Sequence, residues 1–146
     1  MSYKGKFKPI NTLKYDGDST TIVYRSLLER RFMVYCDTSS SILAWSSEEI
    51  IVPYISPVDN RWHRYFVDFW IRYKDSSGDI KASLIEVKPY SQTKEPRVAK
   101  DSKKPTRRFI GEVMTWGVNQ AKWKAATEYS QDRKWDFKLI TEKELT

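Results

Sequence analysis

Three residues in two apolar stretches carry the chemistry that this chain's residue types allow. Asp68 sits in the middle of Arg64-Tyr-Phe-Val-Asp-Phe-Trp-Ile-Arg-Tyr73, and Glu86 and Lys88 sit in Leu84-Ile-Glu-Val-Lys-Pro89. Burying a carboxylate among apolar neighbours is costly unless something pairs with it. A strand repeats every two residues, so Glu86 and Lys88 project from one face while Ile85 and Val87 project from the other. Between the stretches lies Asp75-Ser-Ser-Gly-Asp79, a strong turn signal. If Ser76, Ser77 and Gly78 form the loop, Asp75 pairs with Asp79 and Asp68 falls opposite Glu86, with Cβ atoms roughly 4.5–5.5 Å apart. A loop of two or four residues shifts that register by one. Two carboxylates that close repel unless a cation lies between them. Hard divalent ions such as Mg²⁺ are held by one or two carboxylates together with phosphate and water. Lys88, next along the face, is placed to stabilise a pentacovalent phosphate or to position an attacking water. The spacing therefore describes a hydrolytic metal site for phosphodiesters. The plainer alternative is a surface hairpin whose Glu86 and Lys88 form an ordinary exposed ion pair.

The elements that must position these residues follow from hydrophobic periodicity. Tyr24, Leu27, Leu28, Phe32 and Tyr35 recur at helical spacing and predict a helix from Ser19 or Thr20, either of which can cap it, to about Tyr35. Glu29 lies beside that stripe, one turn after Arg25. It is read either as an i, i+4 partner of Arg25 or as a further metal or water ligand reaching the hairpin from the helix. Strands are expected at Ile42 to Trp45, Glu49 to Ile55, Arg64 to Tyr73 and Ile80 to Lys88. A second helix is expected from about Arg107 to Tyr129, with Ile110, Met114, Val118, Ala121 and Ala125 as its core face. A last strand from Asp136 to Thr141 follows, then a possible turn of helix over Glu142 to Leu145. Residues 1–18 read as an irregular basic arm. The order is that of a mixed α/β domain with a central sheet flanked by helices.

The 146 residues fit a single domain, and 14% of them are aromatic, which is far from the composition of a disordered chain. One Cys (Cys36) leaves no internal disulfide and is expected to be a small packed residue. One His (His63) together with one Cys excludes the usual zinc sites. His63 itself reads as an exposed turn residue. Neither a leader nor a membrane span is recognisable, so no membrane partner is expected. The formal charge of +7 favours a polyanionic partner, of which nucleic acid is the commonest. The excess is uneven. From Lys88 to Arg108 eight basic residues face two acidic ones, Glu95 and Asp101. Lys94, Arg97, Lys100, Lys103, Lys104, Arg107 and Arg108 then read as a phosphate-gripping arm for DNA. Trp116, Trp123 and Trp135 read as packing residues before base-stacking ones.

The order Glu on a helix, Asp on a strand and Glu-x-Lys on the next strand resembles the PD-(D/E)XK nuclease superfamily, with Val67-Asp68 where its name has Pro-Asp. Lys4-Gly-Lys-Phe-Lys-Pro9, Tyr24-Arg-Ser-Leu-Leu-Glu-Arg-Arg-Phe32, Val52-Pro-Tyr54, Tyr65-Phe-Val-Asp-Phe-Trp70 and Ile85-Glu-Val-Lys-Pro89 together resemble the head completion nucleases of T-even-type phages. Similar motifs occur in the endonuclease subunit of Tn7-type transposases. The first resemblance implies a restriction-endonuclease-like core and a Mg²⁺-dependent DNA endonuclease, with Mn²⁺ able to substitute. It implies Glu29, Asp68, Glu86 and Lys88 as catalytic residues, with the three carboxylates at the metal. The likeness to the phage nucleases further implies a role in virion assembly: contact with portal or neck proteins and a place at the head or portal vertex, reached in the host cytoplasm. Many members of the superfamily place a Gln on the helix after Glu-x-Lys, and Gln120 is the nearest candidate. Two other functions stand beside this one. One is a non-catalytic virion protein binding DNA or the portal through the same fold, and the other is a transposase-type end-cutting subunit, for which 146 residues leave little room for a partner-binding domain.

Overall fold

The computed structural model describes residues 4–97 and 106–145. A two-stranded ribbon, β1 (Gly5–Lys6) and β2 (Val23–Tyr24), precedes helix α1 (Leu27–Thr38). Strands β3 (Ile42–Ser47), β4 (Ile51–Ile55), β5 (Trp62–Phe66), β6 (Phe69–Lys74) and β7 (Ile80–Val87) follow. Helix α2 (Arg107–Asp132) and strand β8 (Asp136–Ile140) complete the order. The main sheet runs β3-β6-β7-β8, with β7 and β8 parallel and the other pairs antiparallel, while β4 and β5 form a separate hairpin.

The second half of strand β7, Ser83 to Val87, is buried because both faces of the sheet are covered there. Phe69, Ile71, Ile85 and Val87 turn to one side with Trp45 and with Phe32, Met33 and Cys36 of α1. Trp70 and Leu84 turn to the other, with Ala126, Val118 and Ala121 of α2 and with Val52, Tyr54 and Tyr65 of the hairpin. Cys36 is fully buried, as expected of a packed thiol.

The first helix begins seven residues later than its apolar spacing suggests. Ser26 is the N-cap: its hydroxyl accepts the Glu29 N–H at 3.1 Å, and the Glu29 carboxylate reaches back to the Arg25 N–H at 2.9 Å. Ser26-Leu-Leu-Glu29 is thus a variant of the capping box. Asp18, in contrast, spends its carboxylate on a local turn, accepting the Thr20 N–H and hydroxyl. The buried stripe is Phe32, Met33 and Cys36, joined by Asp37, while Leu27 and Tyr35 are exposed.

The N-terminal arm is not loose. Phe7 and Tyr15 are buried beside Trp45. Asp37 accepts the backbone N–H groups of Ile10 and Asn11 at 2.8 and 2.9 Å. Lys14 donates to the Asp37 and Ser39 carbonyls at the C-terminal end of α1, where a cation suits the helix dipole.

Helix α2 also differs from expectation in the face it presents. Ile110, Val113 and Met114, on its first half, are exposed, whereas Asn119, Trp123, Ala126 and Ser130 are buried. The helix packs on the β4–β5 hairpin, β7 and β8, and that support reaches only its second half.

Candidate active site

The turn between β6 and β7 decides the geometry. Asp75 and Asp79 are joined by an Asp75 N–H to Asp79 carbonyl bond of 2.9 Å, and Gly78 takes the positive φ of 86° that a loop of three residues requires here. The ladder then pairs Lys74 with Ile80 through to Phe69 with Ile85, where it ends; Asp68, one step beyond, lies close enough to Glu86 to feel its charge. The expected single strand from Arg64 to Tyr73 is divided at this point. Asp68 gives its carbonyl to the Glu48 N–H, at 3.1 Å, and its carboxylate Oδ2 to the Val87 N–H, at 2.9 Å. It leaves the ladder to do so.

Glu86 is 5% exposed, and its Oε2 accepts two hydrogen bonds of 2.6 Å, from the Tyr65 hydroxyl and from the Trp123 indole N–H. Charge-assisted bonds of this length fix a carboxylate firmly. Burial, and the Glu86 charge beside it, push the Tyr65 phenol far above its usual range, so it acts as a donor. The two carboxyl groups also lie within hydrogen-bond reach of one another, and apart from that contact neither Asp68 Oδ1 nor Glu86 Oε1 accepts a bond from a protein N–H or O–H among the described residues. Burial foremost, then the facing Glu86 and the charge of Glu29, raise Asp68 well above the ordinary carboxylate range, against the lowering effect of the Val87 N–H. Burial, Glu48 and Glu86 likewise raise Glu29, partly offset by Arg25. This is a carboxylate pair short of positive charge, each member with one oxygen fixed by protein donors. Its donor chemistry fits a hard divalent cation completed by water and phosphate.

Glu29 does not close a three-ligand cluster. Among the described residues no three Asp, Glu, His or Cys side chains are grouped to hold a metal ion. The reason is topological. Glu86 shares the face of Leu84, towards α2, while Glu29 belongs to α1 on the opposite face and spends an oxygen on the Arg25 N–H. The Arg25 guanidinium, for its part, turns to Glu48, with contacts of 2.9 and 3.2 Å, and not to Glu29 as helical spacing suggests. Lys88 follows β7 and ties its backbone N–H to the Ile140 carbonyl at 3.0 Å; its ammonium makes no hydrogen bond or ion pair among the described residues.

Lys94, Arg97, Arg107 and Arg108 are exposed on either side of the segment leading to α2, and Lys100, Lys103 and Lys104 lie outside the described residues. Gln120 is exposed; the buried polar residue on that part of α2 is its neighbour Asn119. His63 is exposed and joined to Asp59 at 2.8 Å. Trp123 is the indole that holds Glu86, Trp116 meets it edge-on, and Trp135 packs beside Trp70.

Sequence reasoning missed Tyr65 and Trp123 as supports of Glu86, and it missed the Arg25–Glu48 pair. Trp123 carries no local signal, being 37 residues from its partner. Tyr65 was within reach, since it lies on the strand expected to oppose Glu86. Glu48 has φ of 56°, a left-handed conformation that a non-glycine residue adopts only where its surroundings hold it.

Residues 39–142 match the family described as TnsA-like endonuclease N terminal. Over 143 residues, 97% of this chain, the sequence is 40% identical to the head completion nuclease of Enterobacteria phage T4, of which it covers 93%. The mixed sheet between α1 and α2 is a PD-(D/E)XK-type core, the fold of that domain family.

Proposed function

The chain belongs to the TnsA-like endonuclease N-terminal family, and from that premise we propose a metal-dependent DNA endonuclease of the PD-(D/E)XK type. It hydrolyses phosphodiester bonds during phage head completion, after packaging. The observation that carries this reading is the neighbouring pair Asp68 and Glu86, each held through one oxygen by protein donors and close enough to its partner to feel its charge. The pair is where a Mg²⁺ or Mn²⁺ ion would be held, and such an ion would supply neutralisation of the scissile phosphate and a more acidic bound water. Tyr65 and Trp123 hold Glu86 in place, and the Val87 N–H does the same for Asp68. Glu29 adds negative potential from the α1 side and can reach the site through water. Lys88 stabilises charge building on the phosphate oxygens. Arg25, oriented by Glu48 and close enough to Asp68 to feel its charge, is a second cation at the edge of the site.

DNA is gripped by its phosphates through Lys94, Arg97, Lys100, Lys103, Lys104, Arg107 and Arg108, so binding weakens steeply with salt and depends little on sequence. The chain acts as one nuclease unit, with residues 4–18 of the N-terminal arm packed on it. Its place is the head or portal vertex of the virion, against portal or neck proteins. The relative's name, head completion nuclease, supports that setting.

Plasmid cleavage in Mg²⁺ or Mn²⁺ by the purified protein, beside folded Asp68→Ala and Lys88→Ala variants, tests the proposal. Nicking by the wild type with binding but no cutting by both variants supports it. Equal binding and no cutting by all three would make the fold a DNA- or portal-binding plug.

A further inference from the structure

A cleft of about 770 Å³ opens between the 3₁₀ turn Tyr90–Thr93, just after Lys88, and the first half of α2. Gln92, Lys94, Arg108, Trp116 and Asn119 are among its lining residues. Two observations single it out. First, Asn119 is only 7% exposed, and its side-chain amide makes no hydrogen bond among the described residues. Its amide is not among the fully buried unpartnered groups of the described residues, so its atoms keep an opening to the cleft, where a ligand can bond them. Second, two indoles in contact link the cleft to Glu86. Trp116 meets Trp123 edge-on with ring centroids 6.1 Å apart, and Trp123, one helical turn beyond Asn119, donates to Glu86.

We infer that this cleft receives one unpaired base of the DNA strand beside the scissile phosphate. The inference rests on the nuclease reading above and adds a substrate class to it: DNA with a frayed, flapped or single-stranded segment at the cut. The volume falls within the roughly 300–1,000 Å³ of small-ligand sites, whereas a base stacked in a duplex cannot reach a side chain inside such a cleft. The Asn119 amide offers a donor and an acceptor to a base edge. Trp116 offers an indole for stacking. Lys94 and Arg108 supply positive charge at the mouth, the latter already neutralising Glu112 at 3.2 Å.

Binding measured by fluorescence anisotropy in EDTA isolates this step from cleavage. The probes are a blunt duplex and a forked duplex with unpaired arms, both of one sequence. Wild type is expected to bind the fork more tightly than the duplex. Asn119→Ala and Trp116→Ala are each expected to weaken fork binding at least about five-fold, the lower end of what losing one stacked base costs, while leaving duplex binding nearly unchanged. Thr115→Trp, placed on the exposed lip of the cleft, fills it without touching the buried residues and is expected to act alike should either core-side variant fail to fold. Equal affinity of wild type for fork and duplex overturns the inference, and so does an equal loss on both probes or no loss on either. A wild type that discriminates the fork yet never cuts DNA upholds the cleft and defeats the nuclease reading; one that cuts but does not discriminate does the reverse.

Discussion

Replacing Tyr65 by Phe removes one oxygen from the core and leaves everything else in place. That oxygen is one of two donors 2.6 Å from Glu86 Oε2, and the remaining one is the Trp123 indole. A hydrogen bond to a buried charged group contributes about 1.5–3 kcal/mol. It fixes Glu86 Oε2, so its loss frees the carboxylate to move and weakens the hold on a cation beside Asp68. At 1.36 kcal/mol per factor of ten, the lower end of that range raises the Mg²⁺ concentration needed for half-maximal nicking by about ten-fold. The assay is the initial rate of plasmid nicking against Mg²⁺ concentration at neutral pH for the wild type and Tyr65→Phe. Thermal unfolding of both proteins accompanies it, and the same loss should lower Tm by several degrees. A lowered Tm with an unchanged Mg²⁺ dependence would refute the reasoning, because Tyr65 would then serve only to pack the core. A lower Mg²⁺ requirement in Tyr65→Phe would refute it more directly.

Four further outcomes follow from the structure. Asp68 and Glu29 both bind protons more tightly in the folded chain than in the unfolded one. Above the unfolded carboxylate range of about 4 the folded state therefore holds more protons, and stability falls as pH rises; in EDTA, denaturant titrations should show this slope in the wild type and a flatter one in Asp68→Asn. Mg²⁺ should raise Tm at neutral pH and do so less as the solution is acidified, and a pH-independent increment would count against the carboxylate pair as its site. Glu48→Gly relieves a left-handed conformation that costs an L-residue about 1–2 kcal/mol and removes a partly exposed ion pair contributing at most about 1 kcal/mol. Urea titration should find it no less stable, while nicking falls because Arg25 loses its support; unchanged nicking would reduce that pair to a surface contact. Lys134, at φ 61°, occupies the position after α2 where glycine is preferred, in a Schellman motif whose Lys134 and Trp135 N–H groups return to Gln131 and Ser130. Lys134→Gly should stabilise by about 1 kcal/mol, raising Tm by a few degrees with activity unaltered, and a lowered Tm would show that the strain has been misjudged.

Much of the site was legible because it is local. The pairing of Asp68 with Glu86 depends on the length of one turn, and Asp75-Ser-Ser-Gly-Asp79 states that length in residues whose preferences are strong. The start of α1 was equally legible in Ser26-Leu-Leu-Glu29 but was lost behind an apolar periodicity that extends upstream through Tyr24, which belongs to a strand. For α2 the opposite error arose: Ile110 and Met114 continue the helical spacing of Val118, Ala121 and Ala125, yet they stand exposed. Periodicity marks the face a helix is able to bury and cannot show how far the supporting sheet extends beneath it.

By itself, then, the sequence determined the order of elements, the α/β class, the basic stretch after Lys88 and the identity of the facing carboxylates, since each depends on neighbours within one strand, helix or turn. The tertiary structure alone decided which groups surround those carboxylates. Trp123 reaches Glu86 from 37 residues away, Glu48 turns Arg25 aside from Glu29, and Asn119 rather than Gln120 faces inward. The physical reason is that burial and charge compensation at a point in space depend on every element packed there, and helices laid on opposite faces of one sheet bring to it residues that no local spacing relates.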